Sequence, residues 1–173
     1  MAGAKHGPNR LDRYWAIHET VMQTFRDRGF VLEDDLQLEA NGDGRILISG
    51  RVICEGGLYI GVSKVLSILS GDGPTSEVQT DAYSYNAVLG GIGNVFRYDS
   101  PRLRQEDQSG HERPDHHQIH HKHTYDVLRG GEQTAISEVS EIDWPTLGEV
   151  IEELADWYSA TFDAVDAPRG RAR

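Results

Sequence analysis

The sequence predicts an α+β protein, with a curled antiparallel β-sheet of five to seven strands and a helix at each end. Apolar residues recur at helical spacing near both ends of the chain, and between them the apolar period falls to two. Glycine-rich turns separate the alternating segments, and strands joined by tight turns lie antiparallel to their neighbours, as a meander. Both helices are then expected to pack on one face of the sheet.

The first helix is predicted to begin at Leu11, after a flexible tail at residues 1–10, and to end at Gly29. Its apolar face consists of Leu11, Tyr14, Trp15, His18, Met22 and Phe25. Because His18 lies on this face, we interpret it as a half-buried histidine with a hydrogen-bond partner rather than as a metal ligand.

Five strands are predicted after this helix, because apolar residues alternate between turn sequences such as NGDG, GDGP and GGIG. Their predicted ranges are 30–38, 46–54, 58–68, 76–89 and 94–100.

The C-terminal part of the predicted single domain (11–166) contains an insertion and one more helix. Residues 101–115 are polar and nearly devoid of large apolar groups, which predicts a flexible insertion. Strand-like patterns return at 116–128 and at 133–142. The last helix is expected to open with a capping box of Thr146 and Glu149, and to carry an apolar stripe. That stripe consists of Leu147, Val150, Ile151, Leu154, Tyr158, Phe162 and Val165. Residues 167–173 are interpreted as a basic tail.

Charge and composition exclude several classes of protein. A formal net charge of −11 argues against a protein that grips nucleic acid with a broadly basic surface. Segment 97–129 departs from this average, because its Lys and Arg residues balance its Asp and Glu residues and it contains most of the histidines. This distribution fits local contact with a phosphate, and it equally fits an acidic body that binds a basic partner.

The chain has the composition of a cytoplasmic protein. Its single cysteine, Cys54, lies in an alternating apolar run, so an internal disulfide framework is excluded. No segment approaches the roughly 18 to 20 apolar residues of a membrane span, and the N-terminal sequence lacks the apolar core of a secretion signal. We therefore predict no membrane association, and we predict no cofactor.

The segment HHQIHHKH at 116–123 concentrates the histidines of the chain. On a strand, His121 and His123 would share one face, while His120 and Lys122 would point the other way. Two histidines in one site are suited to act as proton acceptor and proton donor, as cleavage of RNA through its own 2′-hydroxyl requires.

Three interpretations of these histidines stay open. In the acid–base reading, a nearby cation such as Arg97, Lys122 or Arg129 would stabilise the charged transition state. Alternatively, the pair His121 and His123 would chelate zinc with a third ligand from elsewhere. The third interpretation is a solvated, histidine-rich loop edge without chemistry.

The sequence RYDS places Arg97 and Asp99 on one face of the preceding strand. They would form either an ion pair beside a core tyrosine, or a phosphate-binding arginine with an aspartate that orients a histidine. In the second case this strand should lie beside the strand of His121 and His123, with the four side chains converging within about 10 Å.

These motifs resemble the TumE-type toxin family of prokaryotic toxin–antitoxin modules. The resemblance rests on YSYNAVLGGIGNVFRYDS at 83–100, HHKHTYD at 120–126 and WPTLGEVIEELADWY at 144–158. Proteins of that family pair an aromatic strand ending in an Arg-Tyr-Asp-Asn-like motif with an HHKH-like segment and a C-terminal helix. Two departures are visible here: Ser100 stands at the usual asparagine position, and the insertion at 101–115 separates the motifs.

The resemblance implies a toxin that acts with a cognate antitoxin protein and, by analogy with other small α+β toxins, a metal-independent endoribonuclease with an RNA substrate. It assigns catalytic roles to Tyr98, Asp99, His121 and His123, and substrate-binding roles to Arg97, His120 and Lys122. Two alternatives stay open: a non-enzymatic module that docks a basic partner, and a metal-dependent hydrolase that uses the His-x-His pair.

Overall fold

Nine strands and two α-helices form the part of the chain that the structure, a computed structural model, describes: residues 6–101 and 119–163. In chain order these elements are β1 (Asn9–Arg10), α1 (Leu11–Asp27), β2 (Val31–Asp34), β3 (Gln37–Asn41), β4 (Arg45–Cys54), β5 (Leu58–Ser70), β6 (Glu77–Leu89), β7 (Gly93–Asp99), β8 (His121–Asp126), β9 (Glu132–Glu138) and α2 (Leu147–Tyr158). The predicted α+β class, with a helix at each end, is confirmed.

All nine strands belong to one sheet, and every pairing in it is antiparallel. From β4 to β9 each strand pairs with the next one along the chain, so the predicted meander is also confirmed. Strands β2 and β3 pair with successive parts of β4, and β1 pairs with the start of β6.

The hydrophobic core lies between one face of this sheet and the two helices. Alternation places every second residue of β4, β5 and β6 on that face, where Val52, Ile60 and Tyr85 are fully buried. The helices contribute their predicted stripes to the same core: Met22 and Phe25 from α1, and Val150, Ile151 and Leu154 from α2. Burial of each such side chain stabilises the fold by about 1.5–3 kcal/mol. The opposite face of the sheet does not pack against either helix.

The strand predicted at 30–38 is broken into β2 and β3, which raises the strand number above seven. The break occurs because the Asp35 carboxylate accepts a hydrogen bond from the Arg51 backbone N–H, while the Asp35 N–H donates to the Arg51 carbonyl. Gly50 has a φ of +142°, and a Cβ there would lie 2.7 Å from the Asp35 carbonyl oxygen. This close approach of the two strands needs glycine, and periodicity alone does not reveal it.

The N-terminal tail differs from its prediction wherever the structure describes it. Asn9 and Arg10 pair with β6, and the His6 ring stacks on Trp144 with the ring centroids 3.4 Å apart. His18 is half-buried as predicted, but the hydrogen-bond partner expected for it is not found at Nε2 among the described residues.

Other predictions are met in part or lie outside the described residues. The strand predicted from residue 116 begins at His121, and the strand predicted at 133–142 spans Glu132–Glu138. Apart from Pro101, the predicted insertion lies outside the described residues, as do residues 116–118, 1–5 and 167–173.

The C-terminal helix α2 starts at the predicted capping box. The Thr146 Oγ1 accepts the Glu149 N–H at 3.3 Å, and Glu149 Oε2 accepts the Thr146 N–H at 2.7 Å. A short π-helical turn, Ser159–Asp163, follows the helix. Val165, the last residue of the predicted stripe, lies outside the described residues.

Neither α-helix in the described ranges has the length and apolar character that a membrane span requires.

Candidate functional site

The antiparallel pairing of β7 with β8 sets the two sequence motifs directly opposite each other. Arg97 is the register partner of His123, and Asp99 is the register partner of His121. Side chains of opposed residues project from the same face of a sheet. The expected convergence of Arg97, Asp99, His121 and His123 is therefore confirmed, and we call these four residues the polar cluster.

The polar cluster lies on the sheet face that points away from the helices. Tyr98 and Lys122, which alternate with its members along β7 and β8, contact Glu153 of α2 and so define the helix-facing side. The seven residues that the resemblance assigned to one site are thus divided between two faces of the sheet.

The geometry of the polar cluster is close and directional. Arg97 donates from Nε and Nη2 to Asp99 Oδ1 at 3.0 and 2.7 Å. The other carboxylate oxygen, Oδ2, lies 3.9 Å from His121 Nε2. The rings of His121 and His123 meet edge to face, with their centroids 4.9 Å apart.

The polar cluster is buried except at its arginine. Asp99, His121 and His123 are 7%, 1% and 8% exposed, whereas the Arg97 side chain is 34% exposed. Burial of polar groups is costly unless they are hydrogen-bonded. Here Asp99 accepts from Arg97, while the two histidines bond the Ile119 carbonyl and the Gln133 side chain. Arg97 is therefore the member of the polar cluster that is most accessible to a large anionic substrate.

Hydrogen bonds at Nδ1 fix the tautomers of the two histidines. His121 Nδ1 lies 2.8 Å from the carbonyl oxygen of Ile119, and His123 Nδ1 lies 2.9 Å from Gln133 Oε1. A carbonyl oxygen only accepts hydrogen bonds, so each Nδ1 carries a proton. In the neutral form of each ring the lone pair is then on Nε2.

Burial lowers the pKa of His123. Desolvation is the largest cause of the lowered pKa, and electrostatic repulsion by His121 and Arg97 adds to the effect, against the hydrogen bond that His123 donates to Gln133 and the charge of Asp99. A histidine with a lowered pKa is neutral at pH 7 and can accept a proton there.

Tyr98 and Lys122 form a separate polar contact between the sheet and α2. The Tyr98 hydroxyl donates to Glu153 Oε2 at 2.7 Å, and the Lys122 ammonium pairs with Glu153 Oε1. The Lys122 Nζ also lies 5.1 Å from the centroids of the Phe96 and Tyr98 rings. Desolvation, followed by the Glu153 hydrogen bond, raises the pKa of Tyr98. These contacts hold α2 on the sheet, away from the polar cluster.

His120 and Ser100 are also structural rather than members of the polar cluster. His120 Nδ1 is 3.0 Å from the Tyr83 hydroxyl, and its ring stacks on Trp144 on the helix-facing side. Ser100 Oγ accepts the Tyr83 N–H at 2.9 Å, and the Ser100 N–H donates to the Tyr83 carbonyl. The serine at the usual asparagine position thus extends the pairing with β6.

Three further residues around these two faces were missed from the sequence. Gln133 holds the ring of His123, Glu153 binds Tyr98 and Lys122, and Asn86 is the register partner of Arg97 on β6. Asn86 is one of several polar residues that alternate along β6, so the sequence did not set it apart. No sequence pattern indicates that Gln133 contacts His123, or that Glu153 contacts Tyr98 and Lys122.

The contact between Glu153 and Lys122 allows a paired test of stability. We expect Glu153→Gln to lower the free energy of unfolding by about 1.5 kcal/mol, because it leaves a partly buried ammonium without its counter-charge. The matched control is Glu152→Gln, whose exposed ion pair with Arg28 should contribute under about 0.5 kcal/mol. Urea denaturation of both variants measures the difference, and equal losses would contradict this role for Glu153.

Comparison of the chain with protein-family models, characterised proteins and solved structures finds no match. Two imidazoles, a carboxylate and an accessible guanidinium are suited to proton transfer at a phosphate, and the first three are also a set of metal-binding groups.

Proposed function

We propose that the chain is the toxin component of a toxin–antitoxin module and that it cleaves RNA, without a metal ion, at the polar cluster. The observation that carries this proposal is the register of β7 against β8, which sets Arg97 and Asp99 opposite His123 and His121. Four residues of the motifs that resemble the TumE-type family thereby lie together, as groups able to transfer protons beside a phosphate.

The proposed reaction uses the 2′-hydroxyl of RNA as the nucleophile. His123, neutral at pH 7 because of its lowered pKa, removes the proton from that hydroxyl. His121 donates a proton to the departing 5′-oxygen. Arg97, the most exposed member, stabilises the phosphorane charge, while Asp99 orients the guanidinium. The products are a 2′,3′-cyclic phosphate and a 5′-hydroxyl.

Tyr98, Lys122 and His120 have no direct role in this scheme. Their hydrogen bonds to Glu153 and Tyr83 place them on the other face of the sheet, so the cation at the phosphate is Arg97 rather than Lys122.

The proposal includes a cytoplasmic location and a cognate antitoxin protein. The net charge of −11 favours an antitoxin surface that is basic. This acidic character is also what a non-enzymatic docking module would show, so activity has to be tested directly.

Expression of the protein alone in a bacterial host is expected to arrest growth, and the purified protein is expected to cleave RNA in excess chelator. The cleaved ends should carry 2′,3′-cyclic phosphate, which is identified by its resistance to phosphatase until acid treatment. A matched substrate with a 2′-deoxyribose at the cleavage site should resist cleavage, because it lacks the nucleophile.

Two results would contradict the proposal in different ways. Cleavage of the deoxy substrate, or activity that is lost with chelator and restored by metal, would favour the metal-dependent hydrolase, in which a metal-bound water attacks. Absence of both growth arrest and cleavage would favour the docking module.

A further inference from the structure

Asp99, His121 and His123 are placed as ligands of a metal ion would be. Each offers one ligand atom, and these three atoms all lie within 4.8 Å of one another. In a tetrahedral zinc site, bonds of about 2.0–2.1 Å separate the ligand atoms by roughly 3.3 Å. The His121 Nε2 and Asp99 Oδ2 atoms, at 3.9 Å, are already near that separation. Since no two of the three ligand atoms are more than 4.8 Å apart, each pair has to close by about 1.5 Å or less to reach that separation.

The outer hydrogen bonds of these residues match those of metal-binding side chains. A histidine that binds a metal through one ring nitrogen almost always donates its other N–H to an oxygen. His121 does so to the Ile119 carbonyl, and His123 does so to Gln133. Arg97 holds Asp99 by Oδ1 and turns Oδ2 toward His121.

The chemistry of the ligands selects the class of metal. Two imidazole nitrogens and one carboxylate oxygen suit Zn²⁺ and neighbouring transition metals, whereas Mg²⁺ and Ca²⁺ prefer oxygen ligands. Asp99 supplies the one negative charge of the ligand set, which the Arg97 guanidinium partly offsets at Oδ1, and burial strengthens the attraction between Oδ2 and a divalent cation. Three protein ligands leave a fourth position open.

We propose that Asp99, His121 and His123 form a binding site for a divalent transition-metal ion, with Zn²⁺ the best match, and that the metal-loaded protein is inactive toward RNA. The second part rests on the proposed function. The metal takes the Nε2 atoms of both histidines, and the metal-free reaction needs those same atoms, one to accept a proton and the other to donate one. Metal binding and RNA cleavage therefore exclude each other at this site.

The binding is tested on the full chain without RNA. Protein stripped with chelator is titrated with Zn²⁺ by calorimetry and with Co²⁺ by visible absorption, and one ion per chain is expected. Asp99→Asn and His123→Gln should each weaken binding by 10-fold or more, since even outer partners of ligands contribute 10–100-fold. The matched control His18→Gln, on α1, should bind as the unmodified protein does.

A second measurement needs no variant and covers the case in which a variant fails to fold. Zn²⁺ should shift the Nε2 resonances of His121 and His123 in ¹⁵N spectra of the imidazoles, and leave those of His18 unchanged. Absence of binding, or binding that shifts other histidines and spares these two, would overturn the metal site.

The effect on activity separates this proposal from the proposed function. Zn²⁺ that binds and inhibits RNA cleavage supports both parts. Zn²⁺ that binds to a protein without activity in either form supports the metal site and refutes the ribonuclease. Zn²⁺ that binds and accelerates cleavage overturns the inactive metal-loaded form.

Discussion

Replacement of His123 by glutamine is expected to slow RNA cleavage by about 10³-fold, within the range that a positioned general base contributes. The variant should stay folded, because His123 lies on the sheet face that does not pack against the helices, and glutamine keeps a polar group of similar size next to Gln133. Single-turnover cleavage measures the rate, and circular dichroism measures folding.

The pH dependence of the cleavage rate tests whether His123 is the general base or only a structural residue. A base must be neutral to act, so the rate of the unmodified protein should rise with pH through the pKa of His123. Because burial lowers that pKa, the midpoint of this acidic limb should lie below the ordinary histidine value of about 6.5. His123→Gln should lose the limb altogether.

The matched control for this variant is Ser137→Ala on the neighbouring strand β9. Ser137 is exposed and is the register partner of Lys122, so its loss should leave the rate unchanged. A His123→Gln protein that cleaves RNA within about threefold of the normal rate would remove His123 from the mechanism.

Local sequence patterns predicted the strands, and they predicted that His121 and His123 share one face of the sheet. Alternation along β8 already separated His121 and His123 from Lys122, and the structure keeps this separation. The adjacency of β7 and β8 followed from their order in the meander. These features depend on neighbours in the sequence, and such neighbours are what periodicity and turn signals report.

Contacts between distant elements could not be predicted in the same way. Lys122 was assigned to a phosphate because its charge lies inside the motif, whereas its partner Glu153 is on a helix 31 residues further along. The break between β2 and β3 likewise depends on Arg51 and Gly50, which belong to the neighbouring strand. A single sequence shows which residues are charged, but it does not show which of them form ion pairs in the fold.

Lys64 is a cation on the helix-facing side that lacks such a pairing in the described part of the chain. Its register partners are Ile48 and Tyr83, and its Nζ lies 4.9 and 5.9 Å from the ring centroids of Tyr14 and Trp144. Desolvation lowers the pKa of Lys64 to about 8. The aromatic faces offset only part of the cost of burying this charge.

Lys64→Met is therefore expected to raise the free energy of unfolding at pH 7 by about 2 kcal/mol. The shift of the pKa from 10.5 to about 8 corresponds to roughly 3 kcal/mol, reduced here because the side chain is partly exposed. Between these two pKa values the unfolded chain binds more protons than the folded one, so the unmodified protein gains stability as pH rises. The advantage of methionine should be complete below pH 8 and nearly gone near pH 10.5. Urea denaturation of both proteins at pH 7 and pH 10 measures this, with Lys64→Arg, which keeps its charge, as the control. A difference between Lys64→Met and the unmodified protein that stays constant over this range would show that the amine of Lys64 titrates normally.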